Sequence, residues 1–206
     1  MKKTIAFVSA SFVALSLFGC ANTKQPSEVA YDFVENVAVQ RDVSKVENYV
    51  TDELKEDLAL ERSVTLENSN SIEYAKFKEN LEKFAQKTNY VIEETNNPNK
   101  FKVEFTYIDL SEPIGNGMDA YKEKIEQYEG TVKEPTNEKE NLELIYKEMN
   151  EQIEGYKGKQ KTIHSTIKIK RIDGEPVIYK VGGNLIKAFS FGFLDRERNF
   201  IAKNKD

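Results

Sequence analysis

The chain has one cysteine, one histidine and no tryptophan in 206 residues. A lone cysteine excludes an intramolecular disulfide, so stability must come from buried apolar surface. It also leaves zinc without a ligand set, because zinc sites draw on several Cys or His side chains. Arginine is scarce as well: only Arg41, Arg62, Arg171, Arg196 and Arg198 stand among the 30 basic residues. Phosphate-loop chemistry lacks its motif, since Gly115-Asn116-Gly117 has neither the later glycine nor the Lys-Ser/Thr pair and reads as a turn. No apolar run reaches the roughly 20 residues that a spanning helix needs. The longest, Thr4 to Gly19, falls short and no basic stop follows it. Acidic residues outnumber basic ones, 35 to 30. That balance argues against nucleic acid, whose phosphates call for clustered Lys and Arg.

What is present starts at the N-terminus. Met1-Lys2-Lys3 precedes an apolar stretch, which ends in Leu17-Phe18-Gly19-Cys20 and holds the only cysteine. An ordinary cleaved signal needs small residues at the scissile bond but no cysteine after it. The segment resembles the lipobox of bacterial lipoproteins through Leu17, Gly19 and Cys20. That resemblance implies a thioether from the Cys20 sulfur to a lipid, cleavage between Gly19 and Cys20, and a lipidated N-terminal Cys20. A thiol is the side chain with the nucleophilicity for that step. Residues 1–19 are then a signal peptide, and the expected location is the extracytoplasmic face of the cell membrane, held by palmitate-type chains. Two acyl chains, at about 0.8 kcal/mol per buried methylene, give stable attachment where one is marginal. Loss of residues 1–19 leaves 28 basic residues against 35 acidic, a net charge of −7. Residues 20–25 form a short tether, about 17 Å at full extension. The Lys- and Asn-rich usage is associated with AT-rich, Gram-positive genomes.

From Pro26 the apolar spacing turns helical, with Val29, Phe33 and Val37 on one face, and predicts a helix over 26–39. Val43, Val46, Tyr49 and Val50 follow in a short helical segment, and Thr51 reads as the cap of another that carries Leu54 and Leu58. Glu67 to Ser71 reads as a loop, and Tyr74, Phe77, Leu81, Phe84 and Ala85 form a further helical stripe. The period then drops to two. Tyr90-Val91-Ile92 is a short strand, Asn96 to Asn99 a turn, and Phe101, Val103, Phe105 and Tyr107 alternate with polar residues in a longer strand. Pro113 to Gly117 breaks the pattern. A helical insertion over about 118–156 follows, with Tyr121, Ile125 and Tyr128 on one helix and Leu142, Ile145, Met149 and Ile153 on the next. Ile163, Ser165, Ile167 and Ile169 resume alternation, Asp173-Gly174 closes a hairpin, and Pro176 marks the return strand as an edge. Periodicity alone leaves Leu185–Leu194 open between helix and strand.

The pattern predicts one α+β domain over 26–206: N-terminal helices packed on a curved, cone-like antiparallel sheet, with a helical insertion between two hairpins. Pro26-Ser27-Glu28-Val29, Thr51-Asp52-Glu53-Leu54 and Asp173-Gly174-Glu175-Pro176-Val177-Ile178 make residues 26–181 resemble small Gram-positive lipoproteins with a cystatin-like or nuclear-transport-factor-like cone. The resemblance implies a fold and no particular reaction.

His164 falls on a strand face with Thr162, Thr166 and Lys168, which reads as an exposed strand residue rather than a base. The acids Asp52, Glu53, Glu56 and Asp57 lack the loop spacing and turn glycine of a calcium site, and suit the positive end of a helix. Lys157, Lys159 and Lys161, with Lys168, Lys170 and Arg171, form the one basic alternation. It could meet anionic phospholipid or wall polymer, but a solvated strand face that blunts sheet pairing is the preferred reading. No catalytic residue, metal site or cofactor is expected. The preferred function is a membrane-anchored module that binds a small ligand or an envelope protein. The alternative is a small hydrolase or isomerase working in the cone cavity, with Tyr107 and Asp109 as first suspects. A cavity filled by Phe and Ile would favour the module, and an inward-facing carboxylate in a closed pocket the enzyme.

Overall fold

The computed structural model describes residues 24–63, 71–193 and 196. Gly19 and Cys20, and most of the expected 67–71 loop, lie outside them.

The first helix, α1, spans Pro26–Val34 and runs into a π-helical turn over Glu35–Val39, as the four-residue apolar spacing predicts. Pro26 sits in the first turn, where its missing N–H costs no hydrogen bond. The Gln25 N–H donates to the Glu28 carboxylate at 2.8 Å, and the Gln25 carbonyl accepts from Val29 N–H at 3.1 Å. Lys24 pairs with Asp32 and lies 4.4 Å over the Tyr49 ring. Lys24 and Gln25, expected within the 20–25 tether, therefore belong to the folded unit, and residues 20–23 lie outside the described residues.

A 3-10 segment, Val43–Tyr49, leads to α2, Asp52–Ser63. Thr51 does not cap α2 with its side chain, as the sequence suggests. Its carbonyl accepts from Lys55 N–H at 2.9 Å, while its hydroxyl is buried with no hydrogen-bond partner among the described residues. In α3, Ile72–Ala85, the capping is conventional: the Ser71 hydroxyl accepts from Tyr74 N–H at 3.0 Å.

Four strands form one antiparallel sheet in the order β1 (Asn89–Glu94), β2 (Lys100–Ile108), β3 (Gln160–Ile172) and β4 (Glu175–Val181). Asp173 and Gly174 both take positive φ, 51° and 87°, the pairing a two-residue hairpin turn requires. Pro176 does lie on an edge strand. That edge is partly covered, because Val50 bridges Ile178 and Thr51 N–H donates to the Ile178 carbonyl at 3.0 Å.

The insertion between the hairpins is a pair of helices, α4 (Ser111–Tyr128) and α5 (Glu138–Ile153). It starts seven residues earlier than the expected 118, because Pro113 and Gly115-Asn116-Gly117 lie inside α4 rather than in a turn. Pro113 is tolerated there since the first helical N–H groups have no partner within the helix. Gly117 is demanded by packing: a Cβ on it would stand 2.6 Å from the Met149 α-carbon of α5. The segment left open at 185–194 starts as a helix, α6, Gly183–Phe189, which buries Leu185, Ala188 and Phe189.

The fold class is thus the expected α+β arrangement, helices before and between strands of an open antiparallel sheet. One face of the sheet, with Phe101, Val103, Phe105, Tyr107, Ile167, Ile169 and Ile178, is buried against the helices.

Candidate binding face

The covered side of the sheet is filled by rings. Phe189 lies 5.4 Å from Phe105 and 6.0 Å from Phe33, centroid to centroid, and Phe101 and Phe191 are fully buried beside them. Tyr107, a suspect for catalysis, is only 4% exposed, with its ring stacked 5.8 Å from Phe105. Asp109, the other suspect, is engaged at both oxygens. Oδ1 accepts from Ser111 N–H at 2.9 Å at the start of α4, and Oδ2 meets Lys161 Nζ at 3.1 Å. Gly192 packs against the same carboxylate, since a Cβ there would lie 2.9 Å from Oδ1. Burial pushes the Asp109 carboxyl up, but the Ser111 and Lys161 contacts outweigh it and hold it below the usual carboxylate range. Lys161 is raised in turn, chiefly by its hydrogen bond to Asp109. The structure brings Tyr107 and Asp109 to the same end of β2, where Asp109 anchors α4 to β3.

The opposite side of the sheet carries polar side chains in four cross-strand rows. Residues paired in register point to the same face, about 4.5–5.5 Å apart at Cβ. The first row is Asn89, Thr106 and Thr162, whose two hydroxyls bond at 2.8 Å. The second is Val91, Glu104 and His164, with Val91 52% exposed. His164 Nδ1 stands 3.7 Å from Glu104 Oε2, and the imidazole is 78% exposed, the surface strand position that its neighbours in sequence suggest. Glu93, Lys102 and Thr166 make the third row. A shallow groove of about 850 Å³ crosses the second and third rows and is closed at one side by Asn184 of α6. Asn184 is fixed there, donating to the His164 carbonyl at 2.8 Å and accepting from the Ser165 hydroxyl at 2.9 Å.

The fourth row is Lys100, Lys168 and Lys180, one lysine from each of three adjacent strands. Beyond it, β4 carries an extra residue, Tyr179, where the register shifts, and Lys170 Nζ lies 5.7 Å from the Tyr179 ring. A concavity of about 550 Å³ is lined by Asn97, Asn99, Lys100, Lys168, Lys170, Arg171 and Tyr179. The basic alternation read from the sequence is therefore divided. Lys161 serves Asp109, Arg171 donates to the Gly174 carbonyl at 2.6 Å, and Lys168 and Lys170 join this concavity. Lys100 and Lys180 were not singled out, because only the strand register places them beside Lys168.

Among the described residues, no group of three or more His, Cys, Asp or Glu is placed to hold a metal ion. None of their helices is long and apolar enough to cross a membrane. The acids Asp52 and Glu53 lie in the first turn of α2, where the helix dipole favours them. Comparison of the chain with protein-family models, with curated proteins and with solved structures finds no match.

Proposed function

We propose that the chain is a membrane-anchored extracytoplasmic lipoprotein, attached through a lipidated Cys20, whose α+β domain is an accessory module binding a ligand or envelope partner on its open sheet face. The observation that carries the binding reading is the contrast between the two sides of the sheet. One is packed with Phe33, Phe101, Phe105, Phe189 and Phe191, and the other is a rowed polar surface that none of the described residues covers. A binder that uses its interior needs an empty cavity, usually of a few hundred Å³. A filled interior moves recognition to the outer face. The enzyme reading called for an inward-facing carboxylate in a closed pocket, and Asp109 is instead tied to Ser111 and Lys161. The anchor rests on Leu17, Gly19 and Cys20 alone.

The test of the anchor is incorporation of labelled fatty acid by cells producing the chain or its Cys20→Ala variant. Label in the first and none in the second is expected, and equal incorporation would sink the reading. The face is tested in the same cells by proximity labelling from a C-terminal fusion, comparing the chain with a Glu104→Lys, His164→Glu variant. Neighbours lost on altering the face support the module, and an identical labelled set counts against it.

A further inference from the structure

We infer that the lysine row Lys100–Lys168–Lys180, with Lys170 and the Asn97–Asn99 turn beside it, is a binding site for a phosphate-bearing anion. This names the ligand class of the open face and rests on the reading of that face as a binding surface.

Three like charges directly opposite one another across adjacent strands oppose sheet pairing. Elsewhere on the same face opposite charges meet, as where Glu93 faces Lys102. The chain has acids in excess, 35 against 30 basic residues, so a shortage of carboxylates does not explain the row. No ion pair to Lys100, Lys168 or Lys180 is present among the described residues. A local rule broken without compensation inside the fold is the mark of a functional position.

The surroundings supply donors. The Asn97 side-chain oxygen accepts from Asn99 N–H at 2.9 Å, so the remaining groups on that amide are donors. Lysine offers three N–H donors and a compact charge, which suits the several acceptor oxygens of a phosphate. A concavity of about 550 Å³ has room for a phosphate and the group esterified to it. Three ammonium groups, of Lys100, Lys168 and Lys170, line the hollow, with Lys180 beside Lys168 in the row, and they match a dianion or successive phosphodiesters better than a single carboxylate.

The test uses residues 21–206, which retain every buried core residue from Val29 to Phe193 and lack Cys20. Its result is therefore independent of lipidation. Two probes separate the sources of phosphate: pyrophosphate, titrated by amide NMR, and vesicles of phosphatidylcholine with or without phosphatidylglycerol, by co-sedimentation. A saturable shift centred on Lys168 and Lys180, or binding only to the anionic vesicles, supports the site and identifies its source as soluble or lipid. Each Lys→Gln change in the row should weaken binding about fivefold, the equivalent of about 1 kcal/mol per cation near an anionic partner. Lys157→Gln with Lys159→Gln, just before the far end of β3, should leave it unchanged. Without ligand, Lys168→Gln should raise the urea midpoint by relieving the row's repulsion, so lost binding cannot be a folding defect. Absence of binding to both probes, equal loss in the Lys157/Lys159 control, or a lowered midpoint for Lys168→Gln would overturn the proposal.

Discussion

Two glycines in the first half of α4 should respond in opposite directions to the same substitution. A Cβ on Gly117 would stand 2.6 Å from the Met149 α-carbon, 2.8 Å from its nitrogen and 3.0 Å from the Glu148 carbonyl carbon. These are backbone atoms of α5, which have no rotamer to escape into. Relief requires the helices to part by about 1 Å, the overpacking that costs about 1–3 kcal/mol. Alanine returns about 1 kcal/mol of helix propensity. The net for Gly117→Ala is then a loss of up to about 2 kcal/mol, and a β-branched Gly117→Val should lose more. At Gly115 the nearest atoms belong to the Arg196 guanidinium, 3.2 Å away, an exposed side-chain group that can give by a few tenths of an ångström while its Nε still donates to the Ser111 carbonyl, now at 2.8 Å. Gly115→Ala should therefore be neutral or stabilise by up to about 0.8 kcal/mol. For a domain of this size each kcal/mol moves the melting point about 2–4 °C. Urea denaturation and thermal melts followed by circular dichroism should place the two alanine variants on opposite sides of the parent. Equal stabilisation by both would refute the close crossing of α4 and α5.

Asn150 should be a second sensitive point. It is 1% exposed, accepts from Asn80 Nδ2 at 3.2 Å, and donates to the Glu73 carbonyl at 2.8 Å and its carboxylate at 2.9 Å. Asn150→Ala strands these groups at the α3–α5 contact and should cost about 2–3 kcal/mol in urea denaturation, and a loss under about 0.5 kcal/mol, the range of a bland surface change, would contradict the network. Asp109 should show itself in acid. The Ser111 and Lys161 contacts hold its carboxyl below the usual carboxylate range, so its contribution is present above the unfolded value of about 3.9 and is lost as pH falls through the lower folded value. The urea midpoint of Asp109→Asn should accordingly fall less steeply than the parent's below about pH 4, and parallel acid limbs would show the carboxylate to be uncoupled from folding.

The elements easiest to read were those whose local pattern and tertiary role agree. Phe101, Val103, Phe105 and Tyr107 alternate because one side of β2 is buried, and the Asp173-Gly174 turn needs the positive φ that its residues tolerate. Reading failed where a distant contact decides. Pro113 and Gly117 look like breakers, yet proline is harmless in a first turn and Gly117 answers to α5, some 30 residues on. Thr51 has the right type for a cap, but its hydroxyl is buried without a partner among the described residues. Leu185, Ala188 and Phe189 fit either period until burial decides. The lysine row was half visible: alternation along β3 puts Lys168 and Lys170 on one face, but Lys100 and Lys180 join them only through register, which is a long-range property.

The surroundings of the lysine row discriminate between the two sources of phosphate. On the far side of Lys170 a second hollow is lined by Glu47, Asp52 and Glu53 together with Lys55 and Ile172. A flat anionic bilayer laid against this end of the sheet would meet those carboxylates as well as the lysines, and the attraction would be largely cancelled. A phosphate on a slender or flexible carrier can enter the hollow lined by Lys100, Lys168 and Lys170 alone. The same end is where the chain enters the fold: Lys24 covers Tyr49, and the next residue, Val50, bridges Ile178, the partner of Ile169 beside Lys168. If Cys20 is lipidated, the four residues from it to Lys24 span about 14 Å at most, less than two Debye lengths of about 8 Å at physiological salt. The row would then stay within reach of surface phosphates without lying flat on them. Pyrophosphate should accordingly bind more tightly than phosphatidylglycerol vesicles, and removing charge at Glu47, Asp52 and Glu53 should strengthen the vesicle arm far more than the pyrophosphate arm. The opposite ranking would identify the bilayer itself as the ligand.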